Sequence, residues 1–129
     1  MSVKLTLPCP ISANRYWRHY GNRVVLSKEA LEYRRYAAHV AMQAKVKPIS
    51  GDVAVKYIYH PKARKKETGK PMRRLDLGNV EKVASDALNG LVWYDDKQIV
   101  KIVLELGKPV LNGCLIVEWD HAGDIHDDH

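Results

Sequence analysis

Four of the chain's nine aspartates fall within residues 73–96, RRLDLGNVEKVASDALNGLVWYDD, directly after its densest run of positive charge. Asp95 and Asp96 are adjacent, and clustered carboxylates raise one another's pKa unless a cation neutralises them. A helix over the middle of this stretch puts Asn79, Lys82 and Asp86 at i, i+3 and i+7, on one face. Asp76 lies just before that helix. If the short return through Gly90 brings Asp95 or Asp96 back towards the helix, carboxylates from the two places meet Asp76 and Asp86. An all-oxygen set suits Mg²⁺ or Mn²⁺ in preference to zinc. Such an ion activates water and stabilises the charge that develops on a phosphoryl group, with Lys82 available to neutralise a phosphate or assist the leaving oxygen. The same residues also have ordinary uses. Asp76 would cap the helix, and Lys82 with Asp86 would form a solvated i,i+4 pair worth roughly 0.2–0.5 kcal/mol. Residue types alone leave two readings open: a metal-dependent nuclease and an inert nucleic-acid-binding protein.

Charge distribution bears on both. Residues 61–74, PKARKKETGKPMRR, hold seven Lys/Arg against one Glu, a local charge of +6. From Glu118 to His129 there are five acids and no Lys/Arg, or −5, so the formal total of +6 leaves +5 for the remainder. Arg15, Arg18, Arg23, Arg34 and Arg35 supply much of that. A basic stripe of this kind attracts polyanions, although a solvated lysine-rich loop has the same composition.

The 129 residues suit one domain with its own core, and 46% apolar content is a globular proportion. No 18-residue apolar run is present to span a membrane, and MSVKLTLPCP lacks the apolar centre of a signal peptide. Cys9 and Cys114 are isolated, which points to a reduced, cytoplasmic chain with two buried thiols rather than a zinc site. His121, His126 and His129 belong to an acidic tail and carry no expected metal role.

The elements that must position the aspartates can be read from periodicity. VKLTL (3–7) alternates as a strand and stops at Pro8. Residues 8–25 read as a polar and aromatic connection with a turn at Asn22. A helix follows over 27–45, capped by Ser27, with Glu29 in its first turn and Leu26 and Leu31 at staple spacing. Leu31, Ala38 and Met42 mark one side of its apolar face, beside Ala30, Ala37 and Ala41. VAVKYIYH (53–60) is an alternating strand. A second helix over roughly 79–89 buries Val80, Val83, Ala84, Ala87 and Leu88, with Gly90 as C-cap. LVWY reads as a short strand or a strand-like entry, DDKQ as a turn, and IVKIVLEL (99–106) and CLIVEW (114–119) as strands. The expectation is an α/β domain over 1–120, a mixed sheet of about four strands packed with two main helices, and a flexible tail over 121–129.

LPCPISANRYWRH, RRLDLGNVEKVASDAL and GLVWYDDKQIV together resemble the RusA family of Holliday-junction resolvases, over about the first hundred residues. The resemblance implies a homodimeric endonuclease, often encoded by prophages and acting in the bacterial cytoplasm. It further implies Mg²⁺ or Mn²⁺ held by essential aspartates, and cleavage of four-way or branched DNA. Carried onto this chain, Asp76, Asp86, Asp95 and Asp96 form the metal-binding and catalytic set, Lys82 is the catalytic lysine and Asn79 the motif asparagine. The family's usual D-x-D-N start stands here as DLGN. Gly78 therefore replaces a carboxylate, and Asp86, Asp95, a water or, last, Glu81 would have to compensate. Asn14, Arg15, Arg18, Arg64, Lys65, Lys66, Arg73, Arg74 and Asn79 are the expected DNA contacts, with Trp17 or Tyr16 stacking on a base or sugar. A packed lead-in to the first helix is the competing use of residues 14–18. A junction-binding architectural protein without chemistry, and an RNA-processing nuclease, are the alternative functions.

Overall fold

The computed structural model describes residues 3–63 and 77–124. Strand β1 (Val3–Leu7) turns Leu5 and Leu7 inwards. The segment after Pro8, expected to be an irregular connection, instead forms a one-turn helix α1 (Ala13–Tyr16) and a hairpin of β2 (Trp17–Tyr20) and β3 (Arg23–Leu26). Gly21 makes this hairpin possible with φ near +60°, a conformation that glycine adopts without steric cost.

Helix α2 (Lys28–Gln43) starts where expected, with the Ser27 hydroxyl accepting the Ala30 N–H at 3.0 Å. Its buried face is only part of the expected one: the alanine side is buried and the Leu31–Met42 side is not. Ala30, Tyr33, Ala37 and Ala41 are buried, whereas Leu31 is 48% and Met42 72% exposed. The alanines let the helix lie close to its neighbours, and the Tyr33 hydroxyl donates to the Pro8 carbonyl at 2.8 Å. Leu26, expected to staple onto Leu31, packs instead against the cluster of Tyr16, Ala30 and Val83.

Four strands form the main sheet in the order β1-β6-β4-β5. The β4 strand (Val53–His60) is internal, antiparallel to β6 (Cys114–His121) and parallel to β5 (Ile99–Leu106). Parallel neighbours need a crossover between them, and helix α3 (Leu77–Leu88) lies within it. Alternation along β4 turns Val53, Val55, Tyr57 and Tyr59 into the core, where they meet Leu115, Val117 and Trp119 of β6 and the buried side of α3. The α3 stripe of Val80, Val83, Ala84, Ala87 and Leu88 is buried as expected, and Ser85 joins it. The architecture is a small α/β domain with a mixed sheet and two main helices.

After α3, Gly90 adopts φ near +86° and its N–H donates to the Trp93 carbonyl at 2.7 Å. The expected LVWY strand is not formed. The chain turns back so tightly that Trp93, fully buried, makes isolated bridges to Ile49 and Asn89 instead of a ladder. At the other end β6 runs to His121, and the Ala122 N–H donates to the Asp52 backbone carbonyl at 2.8 Å. No helix among the described residues is long and apolar enough to cross a membrane.

Candidate active site

One face of α3, the start of β2, the corner before β5 and β5 itself line a cleft of about 370 Å³. Trp17, Glu81, Lys82, Ser85, Asp86 and Asp96 line it, along with Ile99 and Ile102 of β5. The helix positions follow from the core stripe. Once Val80, Val83, Ala84, Ala87 and Leu88 face inwards, Lys82 and Asp86 fall on the side of the helix away from that stripe, as expected. Asp86 does not pair with Lys82. Among the described residues its partners are Tyr16, whose hydroxyl donates to Oδ2, and Arg34, whose guanidinium reaches the same oxygen at 3.1 Å. Tyr16 is fully buried at the end of α1, and Arg34 projects from α2. Burial first, and then the Asp86 carboxylate, push the Tyr16 phenol above its ordinary pKa.

The aspartate pair divides into two roles. Asp95 caps the single 3-10 turn Asp96–Gln98, its carboxylate accepting the Lys97 N–H at 3.0 Å. That backbone bond, and then a hydrogen bond with the Asp96 side chain, lower the Asp95 pKa. The pairing with Asp95 is also the largest cause raising Asp96, followed by slight desolvation and the negative charges of Asp95 and Asp86. Asp96 therefore lies within electrostatic range of Asp86 and lines the cleft, whereas Asp95 is a structural cap. Gln98 anchors the corner. Its side-chain oxygen accepts the Tyr94 and Asp95 N–H groups at 2.7 and 2.9 Å, and its amide donates to the Ile49 and Gly51 carbonyls at 2.9 and 2.8 Å.

A second surface adjoins the cleft, formed by Asn14, Arg15, Arg18, His19, Tyr20 and Glu29. Trp17 lines both, and its ring meets Tyr16 edge-on with centroids 4.7 Å apart. Arg15 reaches Glu29 at 3.2 Å in an exposed ion pair, and that contact is the largest cause lowering the Glu29 pKa. Asn79 is exposed in the first turn of α3, beside Gly78. Asp76, Arg64, Lys65, Lys66, Arg73 and Arg74 lie outside the described residues.

The structure thus brings Lys82, Asp86 and Asp96 together, and it adds Glu81, which helix position had ranked last. Tyr16, one of the two rings expected to stack on DNA, is fully buried and bonds Asp86 instead, which leaves Trp17 for stacking; Arg34 and Gln98 were not singled out for the site. Tyr16 and Arg34 reach Asp86 across 70 and 52 residues, and Gln98 reaches Ile49 across 49, so no local pattern carries the information.

The sequence profile described as "Endodeoxyribonuclease RusA" matches residues 8–116 of the chain, a span that takes in every element of the cleft. The chain belongs to the RusA family. The protein called "Crossover junction endodeoxyribonuclease RusA" in Escherichia coli (strain K12) is 36% identical over 101 residues, 77% of this chain and 78% of that protein. The Shigella sonnei (strain Ss046) protein of the same name is 35% identical over the same shares. A phage protein of that name, from Enterobacteria phage 82, is 36% identical over 98 residues, 74% of this chain and 75% of its own length.

Membership of the RusA family implies a metal-dependent mechanism, and the donor chemistry of the cleft is compatible with one. Its acidic side chains offer only carboxylate oxygens, the set that hard divalent cations take. Like charge crowding at Asp96, from Asp95 and Asp86, is what a cation would relieve. Among the described residues no three acidic, His or Cys side chains are already grouped closely enough to hold an ion.

Proposed function

We propose that this protein is a metal-dependent, structure-selective endodeoxyribonuclease that resolves four-way (Holliday) DNA junctions by hydrolysing phosphodiesters. The observation that carries the reading is the convergence of Lys82, Asp86 and Asp96 on one cleft, in a chain of the RusA family. Asp86 and Asp96, with Asp76 and with Asp95 behind Asp96, would hold Mg²⁺ or Mn²⁺. When bound, the ion would neutralise charge at the scissile phosphate and lower the pKa of the attacking water.

The chain's own residues do the rest. Lys82 presents an ammonium to the phosphate and offsets the charge that grows on its oxygens. Tyr16 and Arg34 fix the Asp86 carboxylate, so it needs no reorganisation when DNA arrives. Trp17, on the rim between the two surfaces, offers a ring for stacking against a base or sugar. Asn14, Arg15, Arg18 and Asn79 contact phosphates on the exposed side, as do Arg64, Lys65, Lys66, Arg73 and Arg74 of the basic segment. Arg15 exchanges its exposed Glu29 partner for a phosphate at little cost, because such ion pairs are worth about 0–1 kcal/mol. The working form is a homodimer acting in the bacterial cytoplasm, and the phage-encoded relative supports a prophage origin.

One observation favours a second reading, a junction-binding protein without chemistry: the described acidic side chains do not form a ready cation site. A labelled synthetic junction incubated with Mg²⁺ or Mn²⁺ separates the two. The wild type should cut symmetrically, and Asp96→Asn should abolish cutting while retaining junction binding. A wild type that binds the junction and never cuts it establishes the second reading, and unimpaired cutting by Asp96→Asn removes Asp96 from the mechanism.

A further inference from the structure

Two buried hydroxyl groups end on Glu81. Tyr57 of β4 is 1% exposed and Ser85 of α3 is 7% exposed, and their hydroxyl oxygens are 2.6 Å apart. The Ser85 hydroxyl donates to Glu81 Oε2, also at 2.6 Å. A carboxylate only accepts, and serine has a single hydroxyl hydrogen, so Tyr57 must be the donor to Ser85. The relay therefore has one direction, from the sheet core through α3 to the Glu81 carboxylate.

Packing does not require this relay. Ser85 lies among Val80, Val83, Ala84, Ala87 and Leu88, where alanine would suit the helix better and bury no polar atom. Phenylalanine at 57 would likewise fill the core without a hydroxyl to satisfy. What the two hydroxyls accomplish is to hold a long side chain that otherwise samples many rotamers. Glu81 and Ser85 are four residues apart on one helix face, and both line the cleft with Lys82, Asp86 and Asp96. The bond from Ser85 engages Oε2 of an oriented carboxylate, and Oε1 is the second oxygen of the same group. One turn earlier on α3, Gly78 is exposed and offers no side-chain oxygen.

We propose that Glu81 is a cation-binding carboxylate of this cleft, standing in for the oxygen that Gly78 cannot give, and that Ser85 and Tyr57 are the positioning residues that aim it. The assignment rests on the nuclease reading above. A closed cage is not needed, since Mg²⁺ keeps several waters and takes only one or two carboxylates beside a substrate phosphate.

Calorimetric titration of Mg²⁺ and Mn²⁺ into the metal-free full chain tests this, with junction cleavage measured in parallel. Glu81→Gln keeps the size of the side chain and an oxygen to accept from Ser85 but loses the charge. It should weaken cation affinity roughly tenfold or more, and Ser85→Ala, which removes the supporting bond, should weaken it roughly tenfold. Helical circular dichroism of both variants should match the wild type. The decisive variant is Gly78→Asp in the Glu81→Gln background, which should recover cation affinity and cleavage, something a merely structural Glu81 would not permit. Unchanged affinity in Glu81→Gln, or a double variant as weak as Glu81→Gln, overturns the assignment while leaving the nuclease reading intact if the wild type cuts. A wild type that neither binds the cation nor cuts overturns both.

Discussion

Asp86 carries two hydrogen bonds on one oxygen, and their donors come from different elements. Tyr16 is fully buried, so its hydroxyl has no water to fall back on, and its bond to a charged acceptor is of the stronger kind. Arg34 is about a third exposed, and its ion pair is correspondingly screened. Tyr16→Phe should therefore destabilise the fold by about 1.5–3 kcal/mol, measured by denaturant unfolding, and more than Arg34→Gln does. The pH dependence follows from the raised Tyr16 pKa. Because folding holds the phenol protonated, its contribution is complete below the ordinary tyrosine value of about 10 and is lost as pH rises above it. Tyr16→Phe should remove part of that alkaline loss of stability. Equal alkaline limbs in the two proteins would mean that burial and the Asp86 carboxylate do not hold the Tyr16 phenol protonated.

Elements were legible in proportion to how local their causes are. Helix α3 declared itself through the spacing of Val80, Val83, Ala84, Ala87 and Leu88, and Lys82 and Asp86 followed from that spacing. On α2, Leu31 and Met42 outrank Tyr33 in hydrophobicity, yet the short alanines and Tyr33 fit the core, because shape and reach decide there. The β2–β3 hairpin was missed because Trp17–Tyr20 and Arg23–Leu26 leave few of their side chains buried, so the two strands have no alternating pattern. Gln98 was invisible for a different reason: its amide satisfies two carbonyls of the 49–51 segment, a partner that only the fold brings near. That residue ties the Asp95–Asp96 corner to the segment leading into β4. Gln98→Ala leaves the cleft carboxylates in place chemically but frees the corner that carries them. It should cost about 1–3 kcal/mol of stability and lower the cleavage rate with little change in junction affinity. A variant that unfolds at the wild-type denaturant concentration and cuts at the wild-type rate would show that the corner needs no such anchor.

At the scale of the whole molecule, the fold restricts how two copies can meet. The alanine-rich side of α2 was one expected contact surface, but Ala30, Ala37 and Ala41 are already covered within the chain. The main sheet ends at β1 and β5, and β5 leaves Val100, Ile102 and Leu106 between 43% and 56% exposed along its length. An exposed apolar edge is an invitation to pair, and nothing among the described residues covers it. A four-way junction is approximately two-fold symmetric, and resolving it requires matched cuts in two strands. A closed two-fold dimer joined through a self-complementary surface supplies two such sites. Ile102 also lines the candidate cleft, so an interface along β5 would lie beside each cleft and would couple their geometry. Sedimentation at micromolar protein should give twice the 14.7 kDa chain mass, with and without junction DNA. Replacing Val100 and Leu106 with lysine, which places like charges on the facing edges, should return the particle to a single chain. Such a monomer still holds one complete cleft, so it should nick junctions and accumulate singly cut product instead of resolving them. A double-lysine variant that remains dimeric moves the interface elsewhere, and a wild type at the mass of one chain in both conditions eliminates the dimer.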